Sequence, residues 1–286
     1  MNHKSVLILD GKKVRDTLAE KIRGELKKLQ AKPKLVIIQV GNNEASSVYI
    51  RQKKNFGEKL GFCVDEIHFD TKISEEKIIS TIKKLNTDKK VNGIIVQLPL
   101  PKKMHARRII ESIDPAKDID GLHSKNLSLL MTHEEGGFVP ATTRGILSLL
   151  DFYKIPIEGK KVTVVGRSLL VGSPTALAFL NRNATVTICH SKTKNLKAEV
   201  QKADIVVVAI GKPKFITQSF VKAGQVIIDV GITRRDEGLI GDVDFTAVSK
   251  ATRAITPVPG GVGPMTVVSL FENLLLAYKR QSDDVL

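Results

Sequence analysis

Tyr49-Ile-Arg-Gln-Lys53 sets a phenol and an ammonium four residues apart, which on a helix puts both on one face within reach of a single bound molecule. A flat ring beside a titratable amine suits a planar heterocyclic substrate. An isolated pair of this kind is also what an ordinary amphipathic helix gives, with one packed tyrosine and one solvated lysine. The chemistry therefore depends on what accompanies the pair.

Four further segments follow in order: Gln97-Leu98-Pro99-Leu100-Pro101, Lys117-Asp118-Ile119-Asp120-Gly121, Val165-Gly166-Arg167-Ser168 and the run from Pro257 to Thr266, Pro-Val-Pro-Gly-Gly-Val-Gly-Pro-Met-Thr. With Ile8-Leu9-Asp10-Gly11, Val40-Gly41, Ser46, His190-Ser191-Lys192-Thr193, Asp229-Val230-Gly231-Ile232 and Gly241-Asp242-Val243-Asp244-Phe245, the set resembles the methylenetetrahydrofolate dehydrogenase/cyclohydrolase family along nearly the whole chain. The resemblance implies NADP-dependent oxidation of 5,10-methylenetetrahydrofolate to the methenyl compound, then its hydrolysis to 10-formyltetrahydrofolate. It also implies a homodimer. A monofunctional cyclohydrolase that keeps the nucleotide-binding lobe is the runner-up. A dehydrogenase for an amino acid or a shikimate-like acid would have no use for Tyr49, Lys53, Gln97 and Asp120 together.

Folate chemistry asks for a face under the pterin, a carboxylate for its amidine-like N–H edge and polar help at the one-carbon unit. Tyr49, Asp120, and Lys53 with Gln97 supply these in turn. A carboxylate accepts two parallel N–H bonds, which an amide or hydroxyl matches less strongly. The family motif places this contact on Asp120 rather than Asp118, which can instead cap the following turn. Hydride removal needs no net proton transfer to the protein, but water attack on the methenyl carbon does. Lys53 is the candidate for that step, with a pKa depressed by burial or by neighbouring positive charge, including Arg51, Lys54 and the cationic substrate. Gln97 orients the amine or the water. Gly260, Gly261 and Pro264 belong to the family's glycine-rich signature and are expected against the substrate.

On the cofactor side, Gly166-Arg167-Ser168 opens a turn between a strand and a helix, where glycines admit a pyrophosphate and the helix N-terminus supplies N–H groups. The spacing is not G-x-G-x-x-G. The next strand ends in Cys189-His190-Ser191-Lys192, without the carboxylate that NAD binders carry for the ribose. Arg167 and Ser191, with Lys192 nearby, suit a 2′-phosphate, so NADP is the expected cofactor. By resemblance, Gly211 and Gly231 lie in the cofactor loops and the backbone around Ile232 meets the nicotinamide. His190 reads as a polar strand end.

Helix and strand patterns alternate throughout, which points to an α/β class with largely parallel sheets. Lys34 to Val40, Phe62 to Phe69 and Gly93 to Val96 read as strands, and Glu44 to Leu60 and Glu75 to Leu85 as helices, the former closed by Gly61. A second series reads as strands Lys161 to Val165, Thr185 to Cys189, Ile205 to Ala209 and Val226 to Val230, with helix Pro174 to Asn181. Pro257 to Pro264 reads as a loop. The expected architecture has two lobes with a cleft between them: an N-terminal α/β catalytic domain, 1–140 with 265–286, and a Rossmann-like NADP-binding domain, 141–264. Two long helices, Thr143 to Tyr153 and Met265 to Arg280, link them.

The 286 residues carry a net charge of +15, which raises the question of nucleic acid. The basic residues, however, come as scattered pairs, and with aromatics at 5% and no Trp there is no stacking platform. Nucleic acid and membrane are not expected partners, and a cytoplasmic location is. Cys63 and Cys189 lack CxxC spacing, so no metal site is expected. One departure from the family stands out. Pro140-Ala141-Thr142-Thr143-Arg144-Gly145 replaces the usual Pro-Cys-Thr-Pro-Lys-Gly, which removes a thiol and a proline while leaving Thr142 or Thr143 to cap the linking helix.

Overall fold

A computed structural model describes residues 6–236 and 238–282, and these divide into two compact units. One comprises Thr17–Ala141 with 267–282. The other comprises the described residues up to Asp16 with Thr142–Thr266.

The first unit is built on a three-stranded parallel sheet in the order Cys63–Phe69, Lys34–Val40, Gly93–Val96. Its central strand is buried from Leu35 to Val40, as a strand covered on both faces must be. Ile78 and Ile82 of the helix Glu75–Thr87 pack on that sheet with Ile94 and Ile109. The helix Glu44–Leu60 begins where the Asn43 side chain accepts from Ser46 N and ends at Gly61, whose φ of 111° is the left-handed cap expected from the sequence. Residues of the last helix beyond Thr266 close the unit. The Phe271 ring lies 5.0 Å from Phe62 and 5.9 Å from Phe56, and Asn273 Nδ2 donates to Ile119 O and Val139 O.

The second unit carries a six-stranded parallel sheet in the order Leu7–Ile8, Ala254–Ile255, Val226–Asp229, Ile205–Val208, Lys161–Val165, Thr185–Cys189. From Lys161–Val165 the chain first adds a strand on one side and then crosses to Ile205–Val208 on the other. The turn after Val165 therefore sits at the point where strand order reverses, where open α/β sheets bind ligands.

Three expectations change. The N-terminal segment was expected with the first unit, yet Leu7 and Ile8 pair with Ala254 and Ile255, so it belongs to the six-stranded sheet. The glycine-rich loop ends earlier, because the last helix starts at Val262 and takes in Pro264 at its third position, where a missing N–H costs nothing. Likewise the helix Ala141–Phe152 starts ahead of both threonines. Neither one caps it: Thr143 is fully buried and its hydroxyl pairs with that of Thr175 at 3.0 Å.

Candidate active site

Lys53 lies in the third turn of the helix Glu44–Leu60, one turn after Tyr49, and both side chains are half-buried. Gln97 follows the carboxyl end of the strand Gly93–Val96, where its N–H still joins the sheet by donating to Ile38 O at 2.9 Å. The two meet: Lys53 Nζ donates to Gln97 Oε1 at 3.0 Å, while Gln97 Nε2 donates to Leu98 O at 2.7 Å. That second bond turns the amide so that its oxygen, not its nitrogen, faces the amine.

Asp120 reaches the same neighbourhood by a separate route. Ile94 N donates to Lys117 O at 2.8 Å, so the segment carrying Asp120 runs beside the strand that leads to Gln97. Burial pushes the Lys53 amine below its ordinary pKa, against the opposing pull of the Asp120 charge. Burial pushes the Asp120 carboxyl up, against the charge of Lys53. Each group is the charge the other feels, so the two stand within electrostatic reach. The Tyr49 phenol is raised by burial as well. Of the two causes expected, burial acts on Lys53 and Arg51 and Lys54 do not, and Lys54 lines a cavity with Asp65 and Glu66.

Several residues that position Asp120 escaped the sequence reading. Asp118 is buried and accepts from His123 N and Asn126 Nδ2 at 2.7 and 2.9 Å, which is the turn-capping role rather than ligand contact. Asn126 also donates to Pro115 O, and Asn273 holds Ile119 O from the last helix. Lys117, also buried, gives its Nζ to Leu85 O and Asp88 O at the end of the helix Glu75–Thr87. An Asn flanked by Leu270, Phe271, Leu274 and Leu275 was the available signal for Asn273.

In the other unit the turn after Val165 has the shape a dinucleotide needs. Gly166 takes a φ of 127°, and a Cβ at Gly172 would collide with the Gly166 carbonyl, so the backbone folds closely on itself at the helix start. Ser168 Oγ accepts from Val171 N at 3.2 Å and Arg167 stays exposed. Ser191 and Lys192 are exposed past the strand Thr185–Cys189, and Lys192 N donates to His190 Nδ1, a strand-end role for that imidazole. Gly211 (φ 66°) and Ile232, 38% exposed, follow the next strands. The residues present thus fit a 2′-phosphorylated dinucleotide: an open glycine turn at a helix start, exposed cationic groups, and no carboxylate at the ribose position. Gly260, Gly261 and Pro264 belong to this unit as well, with Gly11 N donating to Gly260 O at 2.9 Å and Gly263 facing the end of the Ile232 side chain.

Two family models cover most of the chain: residues 9–120 match the tetrahydrofolate dehydrogenase/cyclohydrolase catalytic domain, and residues 140–282 match the NAD(P)-binding domain of the same enzymes. The chain belongs to the tetrahydrofolate dehydrogenase/cyclohydrolase family. A member from Acholeplasma laidlawii, Bifunctional protein FolD, is 50% identical over 97% of this chain and 100% of its own. The crystal structure of the bifunctional FolD enzyme from Campylobacter jejuni superposes with a TM-score of 0.95 at 40% identity, covering 97% of this chain and 100% of that one. The Trypanosoma brucei family member, solved with NADP cofactor and an inhibitor, gives a TM-score of 0.91 at 33% identity over 96% of this chain and 98% of that one. Both family modules are matched here and the relatives that cover the chain are bifunctional, so the runner-up, a cyclohydrolase with an idle nucleotide lobe, is not favoured.

Proposed function

We propose that Lys53, oriented by Gln97, carries the proton transfers of methenyltetrahydrofolate hydrolysis, that Asp120 and Tyr49 hold the pterin, and that Gly166, Arg167, Ser168, Ser191, Gly211 and Ile232 bind NADP. The enzyme oxidises 5,10-methylenetetrahydrofolate with NADP and hydrolyses the methenyl product to 10-formyltetrahydrofolate. The observation that carries the site assignment is the Lys53–Gln97 hydrogen bond beside Asp120.

NADP supplies the hydride acceptor. For the protein, that first step is a matter of orientation: the methylene carbon loses a hydride, no side chain needs to gain or lose a proton, and Tyr49 with Asp120 fixes the ring system. The second step moves protons. With one N–H of the Lys53 amine committed to Gln97 Oε1, the lone pair of its neutral form is free to take a proton from the attacking water. Gln97 adds no charge, so it orients the amine without raising its pKa. After attack, the same amine, now protonated, returns that proton to the ring nitrogen as the C–N bond opens, while the remaining hydroxyl proton is released to solvent as the formyl C=O forms. Burial lowers the pKa of the amine and so favours its neutral form.

Gly260, Gly261 and Pro264 complete the proposal as substrate contacts, supported by their place in the family signature. The division of labour follows the expected domains, folate on 1–140 with 265–286 and NADP on 141–264, with the amendment that the described residues up to Asp16 group with the NADP unit. A homodimer in the cytoplasm is the remaining part of the reading. It is supported by the family resemblance, and among the described residues no helix is long and apolar enough to cross a membrane. Sedimentation of the purified protein tests the dimer. An assay with methylenetetrahydrofolate and each nicotinamide cofactor, followed at the reduced-cofactor and methenyl wavelengths, tests the activities. Reduction of NADP with transient methenyl is expected, and hydrolysis without any cofactor reduction would overturn the dehydrogenase assignment.

A further inference from the structure

The NADP unit contains two buried carboxylates that the mechanism above does not use. Asp229 ends the strand Val226–Asp229 at 3% exposure, and Asp242 is fully buried. Asp229 Oδ1 accepts from Gly231 N and Asp242 N, both at 3.0 Å, and Oδ2 accepts from Val243 N at 2.9 Å. Asp242 Oδ2 in turn accepts from Ile210 N at 2.7 Å and Gly211 N at 2.9 Å. Thr256 Oγ1 takes the Asp229 N–H at 2.7 Å, which adds the segment leading into the glycine-rich loop. Glycine makes room for both acids: a Cβ at Gly231 would collide with the Asp242 carboxyl, and one at Gly241 with that of Asp229.

Two buried acids side by side are costly to maintain, and their interior hydrogen bonds go almost wholly to loop backbone rather than to a counter-charge. The Asp229 carboxyl is pushed up to about 7, first by burial and then by the Asp242 charge. Among the described residues Asp242 Oδ1 has no hydrogen-bond partner. Such an arrangement is retained where geometry matters more than stability. The backbone groups it fixes are those of Ile210, Gly211, Gly231 and the approach to Pro257, the loops on which the nicotinamide contacts are placed.

We propose that Asp229 and Asp242 are positioning residues of the dehydrogenase: a buried carboxyl pair that fastens the Gly211 loop, the Ile232 loop and the glycine-rich segment into one rigid seat for the nicotinamide end of NADP. The proposal rests on the reading that Gly211 and Ile232 meet the cofactor. Hydride transfer tolerates little displacement of the reacting atoms, so loosening this seat lowers the dehydrogenase kcat as well as NADP affinity. Hydrolysis is carried by Lys53 in the other unit, so the seat reaches it only through the substrate contacts of the glycine-rich segment, and its kcat is not expected to follow.

The test compares Asp242→Ala and Asp242→Asn with the unaltered enzyme, reading NADPH affinity by fluorescence titration, dehydrogenase kcat and KM, and methenyl hydrolysis. Asp242→Ala leaves two buried N–H groups without an acceptor. It is expected to weaken NADPH binding by roughly tenfold or more and to lower dehydrogenase kcat further, with hydrolysis within about twofold of normal. Asp242→Asn keeps an amide oxygen for both N–H groups and is expected to restore most of the loss. Normal NADPH affinity and kcat in Asp242→Ala would overturn the proposal, as would an Asn variant no better than Ala. Should Asp242→Ala not fold, amide hydrogen exchange on the unaltered enzyme decides. The Ile210 and Gly211 amides are expected to be protected before cofactor is added, and rapid exchange of both would overturn the proposal. Gly211→Val separates the two levels. If it leaves NADPH binding unchanged, the placement of the nicotinamide has failed; if it weakens binding while Asp242→Ala does not, only the positioning role has.

Discussion

Lys53 Nζ donates to Gln97 Oε1 at 3.0 Å, although the two residues come from a helix and from the end of a strand 44 positions apart. The bond joins an amine whose pKa burial lowers to a neutral amide that cannot raise it again. Asp120, the charge that does raise it, approaches on a third segment. On the proposed mechanism, the balance of these groups sets the behaviour of hydrolysis with pH.

Replacing Asp120 by Asn therefore has two expected effects. Burial lowers the Lys53 pKa and Asp120 raises it, so removing the carboxylate charge lowers that pKa further and moves the acid limb of the hydrolysis kcat profile to lower pH. At the same time the paired N–H bonds to the pterin weaken, and KM rises by roughly tenfold or more. Profiles of kcat against pH at saturating methenyltetrahydrofolate check the first effect. A limb that moves to higher pH would contradict the assignment of Asp120 as the opposing charge.

Asp118 gives a stability prediction. Its carboxyl is raised from 3.8 to about 6, chiefly by burial, so the folded state favours the protonated form. That contribution is fully present below about pH 4 and is lost as the pH rises through 6, at a cost on the order of 3 kcal/mol at neutral pH. Asn at this position keeps an oxygen for His123 N and Asn126 Nδ2 without a charge. Urea unfolding of Asp118→Asn between pH 4 and 8 is expected to be flatter with pH than that of the unaltered protein, and more stable at the upper end.

Gly57 tests packing against propensity. Alanine in the middle of the helix Glu44–Leu60 gains about 1 kcal/mol of helix propensity, but its methyl would strike the buried Phe271 ring and Val64. Overpacking of this kind typically costs about 1–3 kcal/mol, so the clash prevails. Gly57→Ala is expected to lower the midpoint of thermal unfolding. A rise would mean that the Phe271 ring yields freely.

On the proposed reading, cofactor choice rests on Arg167 and on the absence of a carboxylate after the strand Thr185–Cys189. Arg167→Ala is expected to lower the preference for NADP over NAD by roughly tenfold to a hundredfold, by weakening NADP alone. Ratios of kcat/KM for the two cofactors measure it. An equal loss with NAD would place Arg167 at the pyrophosphate instead of the 2′-phosphate.

The long elements were legible in the sequence because each carries its own signals. The Leu35 to Val40 run is apolar except for Gln39, as in a doubly covered strand, and Asn43 and Gly61 mark both ends of the Lys53 helix. Lys53, Gln97 and Asp120 could be chosen as a set, but not brought together, since their meeting depends on strand register and on the Lys117 carbonyl docking beside Ile94. The strand Leu7–Ile8 is too short to show periodicity, and its partner lies at Ala254, so the N-terminal segment was assigned by adjacency to the wrong unit. Asp229 and Asp242 were visible only as parts of motifs. That their carboxyls are buried among loop amides depends on contacts no local pattern encodes.

Replacement of Lys53 by Met bears most directly on the central claim, that this one buried amine moves the protons of hydrolysis while hydride transfer needs none. Methenyltetrahydrofolate hydrolysis by the Lys53→Met enzyme is predicted to fall by at least about a hundredfold, with NADP still reduced from methylenetetrahydrofolate and the methenyl product accumulating. Undiminished hydrolysis in that variant would contradict the account.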